Sequence, residues 1–258
     1  TDADLDAIAR ERSHERGRHL LAARVGCADC HAADFGGAVI VDAAPMGVWA
    51  APNITSAGVT AGWTAADWDR IIRHGINRDG TSSTMPSTDF ANLSDQELSD
   101  LILAITSSPP VARESVASML GPVRAVLLLT GGIPISAELI DHAALRPRTP
   151  PPAAVDVAFG RHVALACTGC HGANFSGGPI AGGDPSWPEA SNLTPDASGL
   201  QGWTVGDFRR ALREGKSRDG RELSPVMPWR ATQWMTDTEI DAMFAWLQTL
   251  PALAKGTR

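Results

Sequence analysis

Long apolar runs are missing from the sequence. The most apolar stretch, Val123 to Ile135, is broken by Arg124, Gly131, Gly132 and Pro134. It is too short and too interrupted to span a bilayer. The N-terminal residues 1–21 are charged and lack the apolar centre of a signal peptide. An initiator methionine is also missing, which raises the expectation that a signal or anchor has been removed. Positive charge is in deficit: 22 Lys and Arg face 29 Asp and Glu, a net charge of −7. That excludes a nucleic-acid-binding or anionic-membrane-binding role resting on basic charge. No segment shows sustained strand alternation. Tyrosine is absent while tryptophan numbers 8, a skew with no physical account. Apolar residues at 43% and charged residues at 20% fit a globular chain and exclude wholesale disorder. A length of 258 residues predicts one or two domains, and 25 Gly with 18 Pro predict long loops.

Cysteine is scarce, and its placement is informative. All four cysteines fall in two identical frames, Cys27-Ala28-Asp29-Cys30-His31 and Cys167-Thr168-Gly169-Cys170-His171. C-x-x-C-H is the attachment signature of haem c. Two thiols on one helical turn form thioethers to the two porphyrin vinyl groups, and the next residue, His, lies under the iron. Two such motifs that exhaust the cysteines predict two covalently bound haems c. Three other readings stand beside it. A shared Cys₄ zinc site would join pairs 140 residues apart in a duplicated chain. A thioredoxin-like pair needs a βαβ context that the flanks lack. Two disulfides would each close a very local loop.

The chain is an internal duplication. Gly17-Arg18-His19 answers Gly160-Arg161-His162, and Phe35-Gly36-Gly37 answers Phe175-Ser176-Gly177. Asn53-Ile54-Thr55 answers Asn192-Leu193-Thr194, and Gly62-Trp63-Thr64 answers Gly202-Trp203-Thr204. Arg78-Asp79-Gly80 answers Arg218-Asp219-Gly220, and Met85-Pro86 answers Met227-Pro228. The copies are read as residues 1–108 and 154–258. Thr64 with Asp67, Thr204 with Asp207, Ser94 with Glu97 and Thr236 with Glu239 form capping boxes. Gly75 and Gly215 stand where left-handed caps end the first helix of each copy. Leu98, Leu101, Ile102 and Ile105 share one face of the last helix, as do Ile240, Met243, Phe244 and Leu247. A further helix precedes each C-x-x-C-H. The fold class is therefore all-α. Residues 109–153 have no counterpart and are flanked by prolines. They are read as a structured crossover rather than a free tether, because long structureless loops are uncommon in compact proteins.

Each copy offers a second axial ligand. Met85 and Met227 lie 54 and 56 residues after His31 and His171, in loops between two helices and before a proline. A methionine there either completes His/Met ligation, which raises the reduction potential relative to His/His, or fills a packing gap. His19 and His162 precede the motifs on the same helix, where reaching the far face is awkward; they are expected near haem edges or the surface. His74 becomes Glu214 and is not a shared ligand. His14 and His142 read as surface residues. Trp63 and Trp203 are candidates to cover a haem and donate an indole N–H to a propionate, with plain core burial as the alternative. Arg78 and Arg218 are candidates to neutralise propionates; each also precedes Asp-Gly and suits a turn.

The order C-x-x-C-H, Asn-[Ile/Leu]-Thr, Gly-x-Trp-Thr, helix, Arg-Asp-Gly, Met-Pro and a final capped helix resembles a class I cytochrome c domain. In tandem it resembles the bacterial dihaem c-type cytochromes, some of which serve as electron-accepting subunits of dehydrogenases. The resemblance covers both copies but not the crossover. It implies two small helical domains, each wrapped around covalent haem. It pairs His31 with Met85 and His171 with Met227 as axial ligands. It implies electron transfer with redox protein partners and export for haem attachment, so a periplasmic location, free or tethered through a removed anchor or a membrane complex. The alternatives are a redox subunit of a larger dehydrogenase or respiratory complex, and an enzyme such as a dihaem peroxidase. Haem enzymes need an open iron position, and both irons here have a methionine candidate, so no enzymatic activity is expected.

The two sites are expected to differ. Residues 1–108 carry 8 basic and 15 acidic residues, residues 109–153 carry 4 and 3, and residues 154–258 carry 10 and 11. The basic run from Arg209 to Arg221 reads as a solvated helix face. The loop around Met85 is polar, whereas that around Met227 is apolar and includes Trp229. Apolar surroundings disfavour the extra charge of ferric iron, and nearby negative charge favours it. Both effects predict a higher potential at the second haem.

Overall fold

The computed structural model describes residues 2–257. The chain forms two compact units. The first comprises residues up to Leu21 with Val25–Arg148, the second Ala22–Arg24 with residues from Thr149 onward.

In the first unit, α1 (Asp2–Ala23) leads to the one-turn helix α2 (Cys27–His31). A hairpin of β1 (Ala38–Ala43) and β2 (Gly47–Ala51) follows, then α3 (Ala65–His74) and α4 (Asp95–Thr106). Beyond α4 lie β3 (Met119–Leu120), α5 (Pro122–Leu129) and α6 (Ser136–Leu139). In the second unit, α7 (Val157–Ala164) and α8 (Thr168–His171) carry the second motif. α9 (Val205–Glu214), α10 (Trp229–Thr232) and α11 (Asp237–Leu247) complete it.

All four capping boxes form, each with the Ser or Thr side chain bound to the third backbone N–H and the acidic side chain reaching back. Gly75 and Gly215 adopt the left-handed conformation expected of the caps. Leu98, Leu101 and Ile105 are buried on α4, as are Ile240, Met243 and Leu247 on α11. Each unit has its own apolar core built around that last helix.

The recurring glycine of Gly-Arg-His has a packing reason. A Cβ on Gly17 would lie 2.0 Å from the Asp100 carbonyl oxygen of α4, and one on Gly160 would lie 1.9 Å from the Ala242 carbonyl oxygen of α11. α1 and α4 in the first unit, and α7 and α11 in the second, therefore cross backbone to backbone. In the first unit, Asp100 also accepts from Arg16 Nε at 2.6 Å, Arg16 Nη2 at 2.8 Å and Ser13 Oγ at 2.6 Å, which pins α1 across α4.

The small sheet was not legible as strand alternation. β1, β2 and β3 pair antiparallel in that order, with an irregularity between Val39 and Val41. Neither long strand buries alternate residues, so a period of two never develops. The tail after α4 matches the tail after α11. Val111 N–H donates to Thr55 Oγ1 and Leu253 N–H to Thr194 Oγ1, both at 3.2 Å.

The helix crossings generate a prediction. Gly160→Ala and Gly17→Ala should each lower the unfolding free energy by about 1–3 kcal/mol through overpacking. Gly206→Ala in α9, where a Cβ meets only Thr204 Oγ1 at 3.6 Å, should raise it by up to about 1 kcal/mol through helix propensity. Denaturant unfolding measures all three; equal effects at the three positions would refute backbone contact at the crossings.

Candidate functional site

In the first copy the C-x-x-C-H motif is a single helical turn, Cys27–His31, that carries both thiols and the histidine; in the second, Cys167 ends a short 3-10 turn, Leu165–Cys167, and caps α8, which carries Cys170 and His171. The turn ends in a residue of positive φ, Ala32 at 65° in the first copy and Gly172 at 79° in the second. The chain then folds back, with Gly37 N–H donating to His31 O and Gly177 N–H to His171 O, both at 2.9 Å. The glycine that makes this bond is fixed by sterics in both copies: a Cβ on Gly37 would lie 2.8 Å from Ala51 O, and one on Gly177 would lie 2.4 Å from Ala190 O.

The returning chain supplies the key contact. His31 Nδ1–H donates to Pro52 O at 2.8 Å, and His171 Nδ1–H donates to Ser191 O at 2.7 Å. Holding the proton on Nδ1 leaves the Nε2 lone pair free to bind a metal. Burial pushes both imidazoles below the ordinary histidine range, with the carbonyl contact pulling the other way. His171 is buried, and His31 is half-buried.

The accepting carbonyls are themselves held by Asn-x-Thr. Asn53 Oδ1 accepts from Thr55 N–H at 2.9 Å and Thr55 Oγ1–H at 2.7 Å, while its Nδ2 donates to Val111 O at 2.7 Å. Asn192 repeats this with Thr194 N–H at 2.9 Å, Thr194 Oγ1–H at 2.8 Å and Leu253 O at 2.7 Å. All four side chains are fully buried. The motif was visible in the sequence as a repeat, but its task was not: it ties the residue after the accepting carbonyl to the tail of its own unit.

The remaining candidates gather at the cores. Cys27, Trp63 and Met85 are partly buried against the first core, and Cys167, Trp203 and Met227 against the second. Trp63 stacks edge-on to Trp68 at 5.2 Å. Met85 N–H donates to Ser83 Oγ at 3.1 Å, and its carbonyl accepts from Ser87 N–H at 2.8 Å. Met227 O likewise accepts from Trp229 N–H at 2.7 Å. Arg78 and Arg218 already have carboxylate partners: Arg78 Nε lies 3.3 Å from Asp67, and Arg218 Nε lies 4.0 Å from Asp207. Those aspartates are the capping residues of α3 and α9.

The donor set fits covalent haem and does not fit zinc. Among the described residues, no three His, Cys, Asp or Glu side chains gather as a metal site. Burial, with Cys30 nearby, pushes the free Cys27 thiol up to about 12, which disfavours the thiolate that zinc requires. A thiol pair and an Nε2-exposing imidazole on one turn are what thioether attachment and axial ligation need.

Comparison with known proteins agrees. Residues 157–251 match the cytochrome c family, and residues 12–103 match the family of subunit III of cbb3-type cytochrome c oxidase. A diheme c-type cytochrome of Cereibacter sphaeroides is 27% identical over 88% of this chain and 83% of its own length. The chain is a dihaem c-type cytochrome. It carries two covalently bound haems c and transfers electrons. This dihaem cytochrome is also 36% identical, over 42% of its length, to a nicotinate dehydrogenase subunit from Pseudomonas putida. It is 32% identical, over 40%, to the fructose dehydrogenase cytochrome subunit of Gluconobacter japonicus. Those alignments span 10% and 24% of the relatives' own lengths.

Removing the buried amide tests the network. Asn192→Ala leaves the buried Thr194 N–H without its acceptor and the Leu253 carbonyl with only the longer Thr194 hydroxyl contact, and should cost about 1–3 kcal/mol. Exposed Asn92→Ala should cost far less. Denaturant unfolding of the haem-loaded protein compares them; equal stability would show that the network does not hold the second site.

Proposed function

We propose that this cytochrome is a carrier rather than an enzyme, with His31 and Met85 binding one iron and His171 and Met227 the other. The observation that carries the reading is the duplication of the whole arrangement. In both copies a carbonyl fixes the histidine tautomer, and a methionine loop borders the core that also holds the first cysteine. Each haem supplies a one-electron couple. The chain's part is to attach it, present one nitrogen and one thioether, and exclude water. A methionine at both sites leaves neither iron the open position that peroxide chemistry needs. Trp63 and Trp203 border the same cores and would cover the haems. Arg78 and Arg218 would reach propionates only by sharing their charge with Asp67 and Asp207.

The matching tails support a first cytochrome domain longer than residues 1–108. It would run to about Ser115, the crossover from there to residue 153, and the second domain from 154. Covalent haem attachment supports export, with the periplasm as the location. Among the described residues no helix is long and apolar enough to cross a membrane. Service inside a dehydrogenase complex is the second reading, favoured by the relatives named as dehydrogenase subunits; the redox partners would then be its catalytic subunit and a terminal acceptor.

Three measurements test this. The matured protein should exceed the apoprotein mass by two haems. Met85→Ala should turn only one haem high-spin or alter its ligand, and Met227→Ala only the other; an unchanged spectrum would make that methionine a packing residue. Rapid peroxide turnover by the parent protein would favour an enzyme.

The second haem should have the higher potential. His171 is the more buried histidine. The turn after Met85 carries Asp89, whose carboxyl burial pushes up to about 6, so it is largely ionised at neutral pH; the second copy has Ala231 there. Redox titration of the two methionine variants assigns each potential, and a clearly higher first haem would refute the ordering.

A further inference from the structure

Gly75 and Gly215 form the same cradle in both copies, and the copies fill it differently. In the second, the indole of Trp229 lies against Gly215, where a Cβ would meet the ring at 2.5 Å. The first copy has Ser87 in place of that tryptophan, and its cradle is filled by the crossover. A Cβ on Gly75 would meet Ala137 N at 3.1 Å and Ser136 Cβ at 3.2 Å. The buried Ser136 donates from Oγ to the Met85 carbonyl at 3.0 Å. Helix α6 also packs on the turn Ser87–Asp89 that follows Met85. A pair of histidines pins this arrangement. His142 Nε2–H donates to Ala137 O at 2.8 Å, which leaves its Nδ1 as an acceptor. His74 Nδ1–H donates to that nitrogen at 2.9 Å, and the rings stack at 5.2 Å and 25°.

We propose that Ser136 is a positioning residue for Met85, and that the His74–His142 pair is a proton-sensitive catch holding it in place. The proposal rests on Met85 being an axial ligand. With one shared proton the pair is satisfied. Protonating both rings sets two Nδ1 donors against each other at hydrogen-bond distance. The charged groups facing His74 are Asp69, 4.0 Å from its Nε2, together with Arg73 on its own helix and Arg146 and His142 from the crossover. Burial, chiefly, and the three cationic neighbours hold His74 below the ordinary histidine range, while Asp69 opposes them. Because its folded value is depressed, the catch contributes fully above the unfolded histidine value and is lost as pH falls through the folded one. Asp89, on the turn beneath α6, titrates in the same region and is the competing cause.

The test uses the ferric holoprotein and the red-edge charge-transfer band of thioether-ligated haem. Protein with Met227→Ala reports Met85 alone, and protein with Met85→Ala reports Met227 alone. In the first background, adding Ser136→Ala should remove most of the band. The band there should also fade reversibly as pH falls below the ordinary histidine range. His142→Asn should flatten that profile, and Asp89→Asn should leave it. The Met85→Ala background should show none of these effects. An unchanged band with Ser136→Ala, or a profile flattened by Asp89→Asn and not by His142→Asn, overturns the proposal. If Met85→Ala removes no part of the band from the otherwise unaltered protein, the ligand assignment fails and the proposal with it.

Discussion

A hydrogen bond from an imidazole Nδ1–H to a backbone carbonyl, made twice, is the constraint on which the rest depends. It holds the proton on Nδ1 and leaves Nε2 free to bind a metal. It also demands that a loop some twenty residues away in sequence arrive at a fixed place. A loop carbonyl is a poor anchor unless its backbone is itself held. The buried Asn–Thr pairs do this, and they recruit the chain after the last helix to accept their remaining donor. In each unit the tail, the loop and the haem-attachment turn thus form one connected polar structure inside an apolar shell, and a fully satisfied network of that kind rigidifies its surroundings.

The two units share this frame and differ at their margins. The backbone-contact helix crossing, the caps and the histidine–carbonyl bond recur with nearly the same geometry. The cover over the C-cap of the second helix does not: an indole serves one unit, and a short helix borrowed from the crossover serves the other. The contacts that fix the histidine recur in both copies, and what lies against the C-caps is free to differ. Differences in burial and local charge follow from that freedom, as the half-buried His31 beside the buried His171 shows.

Most of the frame was legible in the sequence because it depends on local chemistry. Capping boxes, left-handed glycines and the faces of α4 and α11 follow from residues within one or two turns of each other. The attachment motifs are legible for the same reason. What stayed hidden depends on distant partners. Asn53 and Thr55 stood out only as a repeat, since their partners Val111 and Ser115 are set by the fold. Ser136 carried no signal, being one serine in a segment without a counterpart. The strands escaped because β1 and β2 lie on a surface where neither face alternates in burial.

The shared tail changes where the two copies can be severed. A cut after Ser108, where the recognisable repeat ends, would take from Asn53 the carbonyl of Val111 and from the Asn53 backbone the Ser115 hydroxyl. It would also bare Gly75 and the Met85 carbonyl. A cut after Arg148 keeps all of these, along with the two backbone bonds by which Pro147 and Arg148 close over the start of α4. Most of the crossover is packed within the first compact unit, which runs to Arg148, and only the proline-rich residues from Thr149 onward separate that unit from α7.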